Sequence, residues 1–141
     1  MKRFRSQKGA ALIEAAVTIP LILLIAVGIF EFGRAYQTWQ VLTNAAREGA
    51  RLAVISGSTD ADVTTTVRNY MQAGNLDNYA TATVTITRNV ALTGPDTGSQ
   101  VQIAYPFQFM VVQPVIQLID AASSTGTPIT LQATALMRNE S

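Results

Sequence analysis

The feature that most constrains this chain is an apolar run of 21 residues, 10–30, behind a short basic leader. Lys2, Arg3, Arg5 and Lys8 lead to Gly9, and the only charge inside the run is Glu14. A helix of that length rises roughly 30 Å, about one hydrocarbon core. A charge at the centre of such a helix costs about 2.5–3.5 kcal/mol on insertion scales, and less toward the interface, so it marks a functional residue by default. Four cations precede the run; Glu31 and then a single Arg34 follow it. That asymmetry is expected to hold the N-terminus in the cytoplasm, with the rest of the chain beyond the inner membrane.

A cleaved secretory signal would have an apolar stretch of about 7–15 residues and end at a small-x-small site. Here the run is longer and is followed by Phe30-Glu31-Phe32-Gly33-Arg34. Nor does the helical pattern stop there. Phe32, Ala35, Tyr36, Trp39, Leu42, Ala46, Ala50 and Ala53 recur mostly at steps of three and four, one apolar face of an amphipathic helix. Phe32, Tyr36, Trp39, Leu42, Ala46 and Ala50 are the expected packing face. Glu31 with Arg34, and Glu48 with Arg51, fall at i, i+3 on its surface. Gly28, Gly33 and Gly49 lower helix propensity but let other helices approach. Pro20 predicts a kink or a melted stretch near 16–20. Ser56-Gly57-Ser58 ends the pattern, giving one helix of about 46 residues.

Beyond it, Thr59 or Asp60 is placed to cap a short second helix with Val63, Val67, Tyr70 and Met71 on its apolar face and Gly74 at its end. The period then changes to two. Ala80, Ala82, Val84 and Ile86 alternate with threonines; Val101, Ile103 and Tyr105 follow after a Gly94–Gly98 turn; and Ile129, Leu131, Ala133, Ala135 and Met137 form a third set. These predict three half-buried strands that the amphipathic part of the long helix can cover. The stretch 106–122 is strongly apolar yet too short to span a bilayer. Core packing is one expectation for it, and a patch that meets another subunit is the other.

Composition excludes several chemistries. The 141 residues contain no cysteine and no histidine, so thiolate or imidazole zinc sites, disulfides and histidine-based triads are out of reach. Residues 10–141 hold six arginines against nine acids, and the basic charge is a leader rather than a nucleic-acid surface. Asp60 and Asp62 suit a helix cap better than a metal, and Asp96 suits a turn. Asn139-Glu140-Ser141 is a weak glycosylation sequon. Serines 56, 58, 123 and 124 lack a histidine to activate them. No catalytic, metal or cofactor site is expected, and no small-molecule substrate or nucleic acid.

What remains is Gly9 and Glu14. The run Lys8-Gly9-Ala10-Ala11-Leu12-Ile13-Glu14 resembles the class III leader of type IV pilins. The further blocks Pro20-Leu21, Glu31-Phe32-Gly33-Arg34, 44–51 and 133–140 are similar to TadE-like pseudopilins of the tight-adherence (Tad/Flp) pilus. Ala10 stands where ordinary type IV pilins more often have phenylalanine. The resemblance implies cleavage between Gly9 and Ala10 by a prepilin peptidase, which makes Glu14 the fifth mature residue. It implies that Glu14 sets subunit register by meeting the new amine of a neighbour. It also implies an α+β, type IV pilin-like fold, in which the long helix packs on a small three-stranded antiparallel sheet with one or two short helices. The expected layout is a cytoplasmic leader at 1–9, a transmembrane part at 10–30, an amphipathic extracytoplasmic part at 31–56 and a small head at 57–141. Expected partners are the prepilin peptidase, other pilins and pseudopilins, the Tad inner-membrane assembly platform and membrane lipid, in a non-enzymatic role in pilus assembly and adhesion. The competing expectations are a signal-anchored binding or adhesin domain that forms no filament, and an anchored enzyme.

Overall fold

The computed structural model describes residues 3–93, 95–119 and 128–139, with side chains at 9–93, 95–115 and 128–139. Lys2, Gly94, Asp120, Ser123, Ser124, Glu140 and Ser141 lie outside the described residues, as do the side chains of Arg3, Arg5, Lys8, Ile116, Leu118 and Ile119. In chain order the elements are α1 (Arg3–Ala53), α2 (Asp60–Ala73), a 3-10 turn (Tyr79–Thr81), β1 (Thr83–Ala91), β2 (Thr97–Phe107), α3 (Val112–Ile119) and β3 (Ile129–Arg138). The fold is α+β and pilin-like: a long N-terminal helix whose later part packs on a three-stranded antiparallel sheet, with short helices.

Helix α1 starts earlier than the sequence pattern predicts and runs through Pro20 unbroken. The expected melted stretch at 16–20 is therefore absent. Proline removes one hydrogen bond to the preceding turn, and the flanking leucines, isoleucines and alanines keep the rest of the ladder.

The chain divides into two compact units, Met1–Arg34 with Phe109–Gly126, and Ala35–Gln108 with Thr127–Ser141. The first holds the apolar part of α1 and helix α3. Helix α1 from Gly9 onward is long and apolar enough to cross a membrane, and none of its apolar window is buried within the chain.

The second unit carries the sheet, in the order β1-β2-β3 with both pairs antiparallel. Central strand β2 buries Val101, Ile103, Tyr105 and Phe107 on one face. On the neighbouring strands, Val84, Ile86, Leu131, Ala133, Ala135 and Met137 share the period-two pattern, as the alternation predicts. The residues of α1 that cover this unit are Thr38, Leu42, Ala45, Ala46, Gly49, Ala50 and Ala53. From Ala45 to Ala53 they are alanine and glycine, because the backbones come close there: a Cβ at Gly49 would stand 2.5 Å from Val67 Cγ2 and 3.3 Å from Val101 Cγ1.

Helix α2 has the expected cap. Thr59 Oγ1 accepts from the Asp62 N–H at 3.2 Å, and Asp62 Oδ2 accepts from the Thr59 N–H at 3.0 Å, a reciprocal capping box. Val63, Val67 and Met71 are buried, but Tyr70 is exposed and leaves the expected apolar face. Gly74 ends α2 with an ordinary φ of −76°. Space rather than left-handed backbone requires it, since a Cβ there would lie 2.5 Å from Val41 Cγ1.

An inward-facing arginine closes this unit. Arg88 sits at the parity of Val84 and Ile86 on β1 and donates to Ala53 O (2.7 Å), Ser58 O (3.0 Å) and Asp60 Oδ1 (2.8 Å). It thereby satisfies a carbonyl that the end of α1 leaves open and holds the first residue of α2. Asn89, at φ 57°, takes up the register shift between Thr87 and Val90.

Candidate functional site

The residues singled out by sequence begin with Gly9, Ala10 and Glu14, all inside the helical part of α1. Gly9 is half-buried, Ala10 and Glu14 are exposed, and nothing lies within 4 Å of where a Gly9 Cβ would stand. Packing within this chain gives no reason for a glycine there. Ala10 and Glu14 are one turn apart and so share a helix face. Among the described residues, no ion pair or hydrogen bond engages the Glu14 side chain. The carboxylate thus stands on an apolar helix with no partner described in its own chain, flanked by exposed Leu12, Ile13 and Val17.

Further along the same helix, Gly28 and Gly33 also have open space around them, unlike Gly49. These are places where a second helix could approach the backbone closely. The expected packing face splits in two. Leu42, Ala46 and Ala50 are fully buried, whereas Phe32, Tyr36 and Trp39 are 74%, 53% and 42% exposed. Within the later part of α1 the side that meets the sheet and α2 is lined by Leu42, alanines and Gly49, with Val67 and Val101 close against Gly49, and Tyr36 and Trp39 lie off it. Tyr36 and Trp39 pair with each other instead, their ring centroids 6.2 Å apart, and Tyr36 Oη accepts from Gln40 Nε2 at 2.7 Å.

Sequence reasoning missed the role of Glu31. It pairs with Arg34 at 2.8 Å, as the i, i+3 spacing predicts. It is not a surface residue, however: it is only 3% exposed, and its Oε1 also accepts from the Val111 N–H at 2.6 Å. A buried carboxylate is tolerated when paired and hydrogen-bonded. Here the bond joins the residue just past the apolar run to the residue just before α3. The partner is 80 positions away and donates through its backbone, so no side-chain motif announces it.

Other candidates resolve into structural roles. Asp60 pairs with Arg88 and Asp96 with Arg138 (2.9 Å). Asp62 serves the α2 cap, and its hydrogen bonds from the Thr59 hydroxyl and then the Thr59 backbone hold its carboxyl below the usual range. Asn139 donates from its backbone N–H to Thr97 O (2.8 Å) and from Nδ2 to Thr97 Oγ1 (3.0 Å). Among the described residues, no cluster of three or more acidic, histidine or cysteine side chains gathers as a metal site would need.

Residues 9–51 match the model of a protein family described as TadE-like protein. The match opens on Gly9 and takes in Glu14, the apolar run, Glu31 and the small-residue face of α1, less than one third of the chain. No curated protein and no solved structure matches the chain.

Proposed function

We propose that this protein is a membrane-anchored minor pilin or pseudopilin of the tight-adherence type, cut after Gly9 by a prepilin peptidase and acting in pilus assembly for adhesion. The observation that carries this is a coincidence of boundaries. The TadE-like match opens on the same glycine that ends the basic leader, and Glu14 is the fifth residue beyond it. The match supports a Tad-pilus-associated minor-pilin role, and the unburied apolar helix supports the anchor.

The chemistry follows from the charges. Cleavage frees an amine on Ala10 with a reference pKa of about 7.7–8.0, mostly cationic at neutral pH. That cation and the Glu14 carboxylate are each costly in hydrocarbon, and together they offset one another. Because Glu14 meets no described partner in its own chain, the amine of a neighbouring subunit fits the role and would fix the register between two helices. The Gly9–Ala10 bond lies within helical backbone, so a peptidase must first unwind the beginning of α1. Gly9 eases that step, since glycine costs a helix interior about 1 kcal/mol relative to alanine.

Mass analysis of the N-terminus of membrane-extracted protein tests the proposal. A chain beginning at Ala10 is expected, and Gly9→Leu should remain full-length in cells that hold the peptidase. Normal processing of Gly9→Leu would overturn the leader assignment.

A further inference from the structure

We propose that α3 is an interfacial helix, lying in the lipid surface beside the point where α1 leaves the bilayer; this rests on the anchoring proposed above. The Glu31–Val111 hydrogen bond sets the depth. Glu31 directly follows the apolar run, so the backbone it holds at Val111 stands at the boundary between hydrocarbon and headgroups. Helix α3 starts at the next residue.

The surface there suits lipid. Met110 is 58% and Val115 46% exposed. The sequence from Thr97 to Ile119 contains no charged residue, and the polar positions of α3 are Gln113 and Gln117. An uncharged amphipathic helix enters the headgroup boundary by burying apolar area, to a depth of about 5–10 Å, without needing anionic lipid. The Glu31 carboxylate, already satisfied by Arg34 and Val111, adds no unpaired charge to that level. The occupant is therefore the bilayer itself, continuous with the lipid around α1.

The native chain has no cysteine, so single cysteines can carry an environment-sensitive fluorophore in the full-length protein. Val115→Cys in α3 and Met110→Cys just before it serve as the α3 probes, Leu23→Cys probes the span, and Thr85→Cys probes an exposed position of β1. Each labelled chain is reconstituted in phosphatidylethanolamine–phosphatidylglycerol vesicles whose lipids carry a nitroxide near the headgroup or near the chain end. The α3 probes should show blue-shifted emission and be quenched more by the shallow nitroxide. The Leu23 probe should be quenched more by the deep one, and the Thr85 probe by neither. Quenching at Leu23 with α3 probes that behave like Thr85 would overturn the interfacial helix and leave the anchor standing. Loss of quenching at Leu23 as well would overturn the anchor and α3 with it. Shielding of the α3 probes only after a second pilin is added would assign the surface to a protein neighbour, and that too would overturn the proposal. Two positions, one in α3 and one just before it, are used so that a fold defect in one variant does not decide the result.

Discussion

Gly49 and Gly33 lie on the same helix, and substitution separates them. Alanine at Gly49 would press on Val67, a fully buried β-branched side chain with one favoured helical rotamer. Overpacking of this kind costs about 1–3 kcal/mol, while the helix gains about 1 kcal/mol on losing a glycine. Gly49→Ala should therefore lower the thermal midpoint of the detergent-solubilised protein, and Val67→Ala should recover part of the loss in the double variant. Gly33→Ala meets nothing within 4 Å and should leave the midpoint unchanged or raised. At this scale the sequence is only half legible. Spacing alone located the Glu31–Arg34 and Glu48–Arg51 pairs, because both are local. The Glu31–Val111 bond was hidden by its separation in the chain. Arg88 did leave a trace, a charged residue at the inward parity of a strand pattern, where acceptors at the ends of the neighbouring helices hold it.

Among the elements, α2 states its own boundaries most clearly. Thr59 and Asp62 form the reciprocal cap, and two β-branched threonines of the helix are accommodated locally. Thr64 and Thr65 donate their hydroxyls to Asp60 O and Ala61 O, each at 2.8 Å. Thr59→Ala should cost the first turn about 1 kcal/mol, read as roughly fivefold less hydrogen-exchange protection at the opening amides of α2. The contribution of Asp62 has a definite pH sign. Its folded pKa lies below the unfolded value, so its stabilisation is complete above the unfolded pKa and fades as pH falls through the folded one. The protection gap between wild type and Thr59→Ala should narrow in acid and stay constant from about pH 5 upward. The three strands were legible for a similar reason, since threonine or glutamine alternating with apolar residues writes period two directly, although the first begins at Thr83 and the expected Ala80 lies in the 3-10 turn. The apolar face of α1 was less so. A helical wheel weighs aromatic rings heavily, whereas contact with the sheet selects the small side chains beside them.

Across the whole molecule, the apolar surface divides into what the chain covers and what it leaves for its surroundings. The sheet, α2 and the later part of α1 enclose Leu42, Val63, Val67, Met71, Val101 and Ile103. The apolar window of the earlier part of α1 is covered by nothing among the described residues, and Glu14 stands on that part of the helix. Glu14→Ala removes a charge that opposes insertion, so the variant should reach the membrane fraction in normal amount and be processed at Gly9. Pilus-dependent surface attachment should nevertheless be lost, as scored by adherence of cells carrying only the variant. Attachment at the wild-type level would remove Glu14 from assembly.

The register shift on β1 bears on a hazard that any small open sheet carries. A three-stranded sheet has two outer strands whose ladders can recruit a foreign strand. Asn89, in left-handed backbone, breaks the regular ladder of β1 where the shift falls. Irregularity of that kind blunts an edge, so the shift between Thr87 and Val90 makes β1 a poorer template for a foreign strand than an unbroken ladder would be.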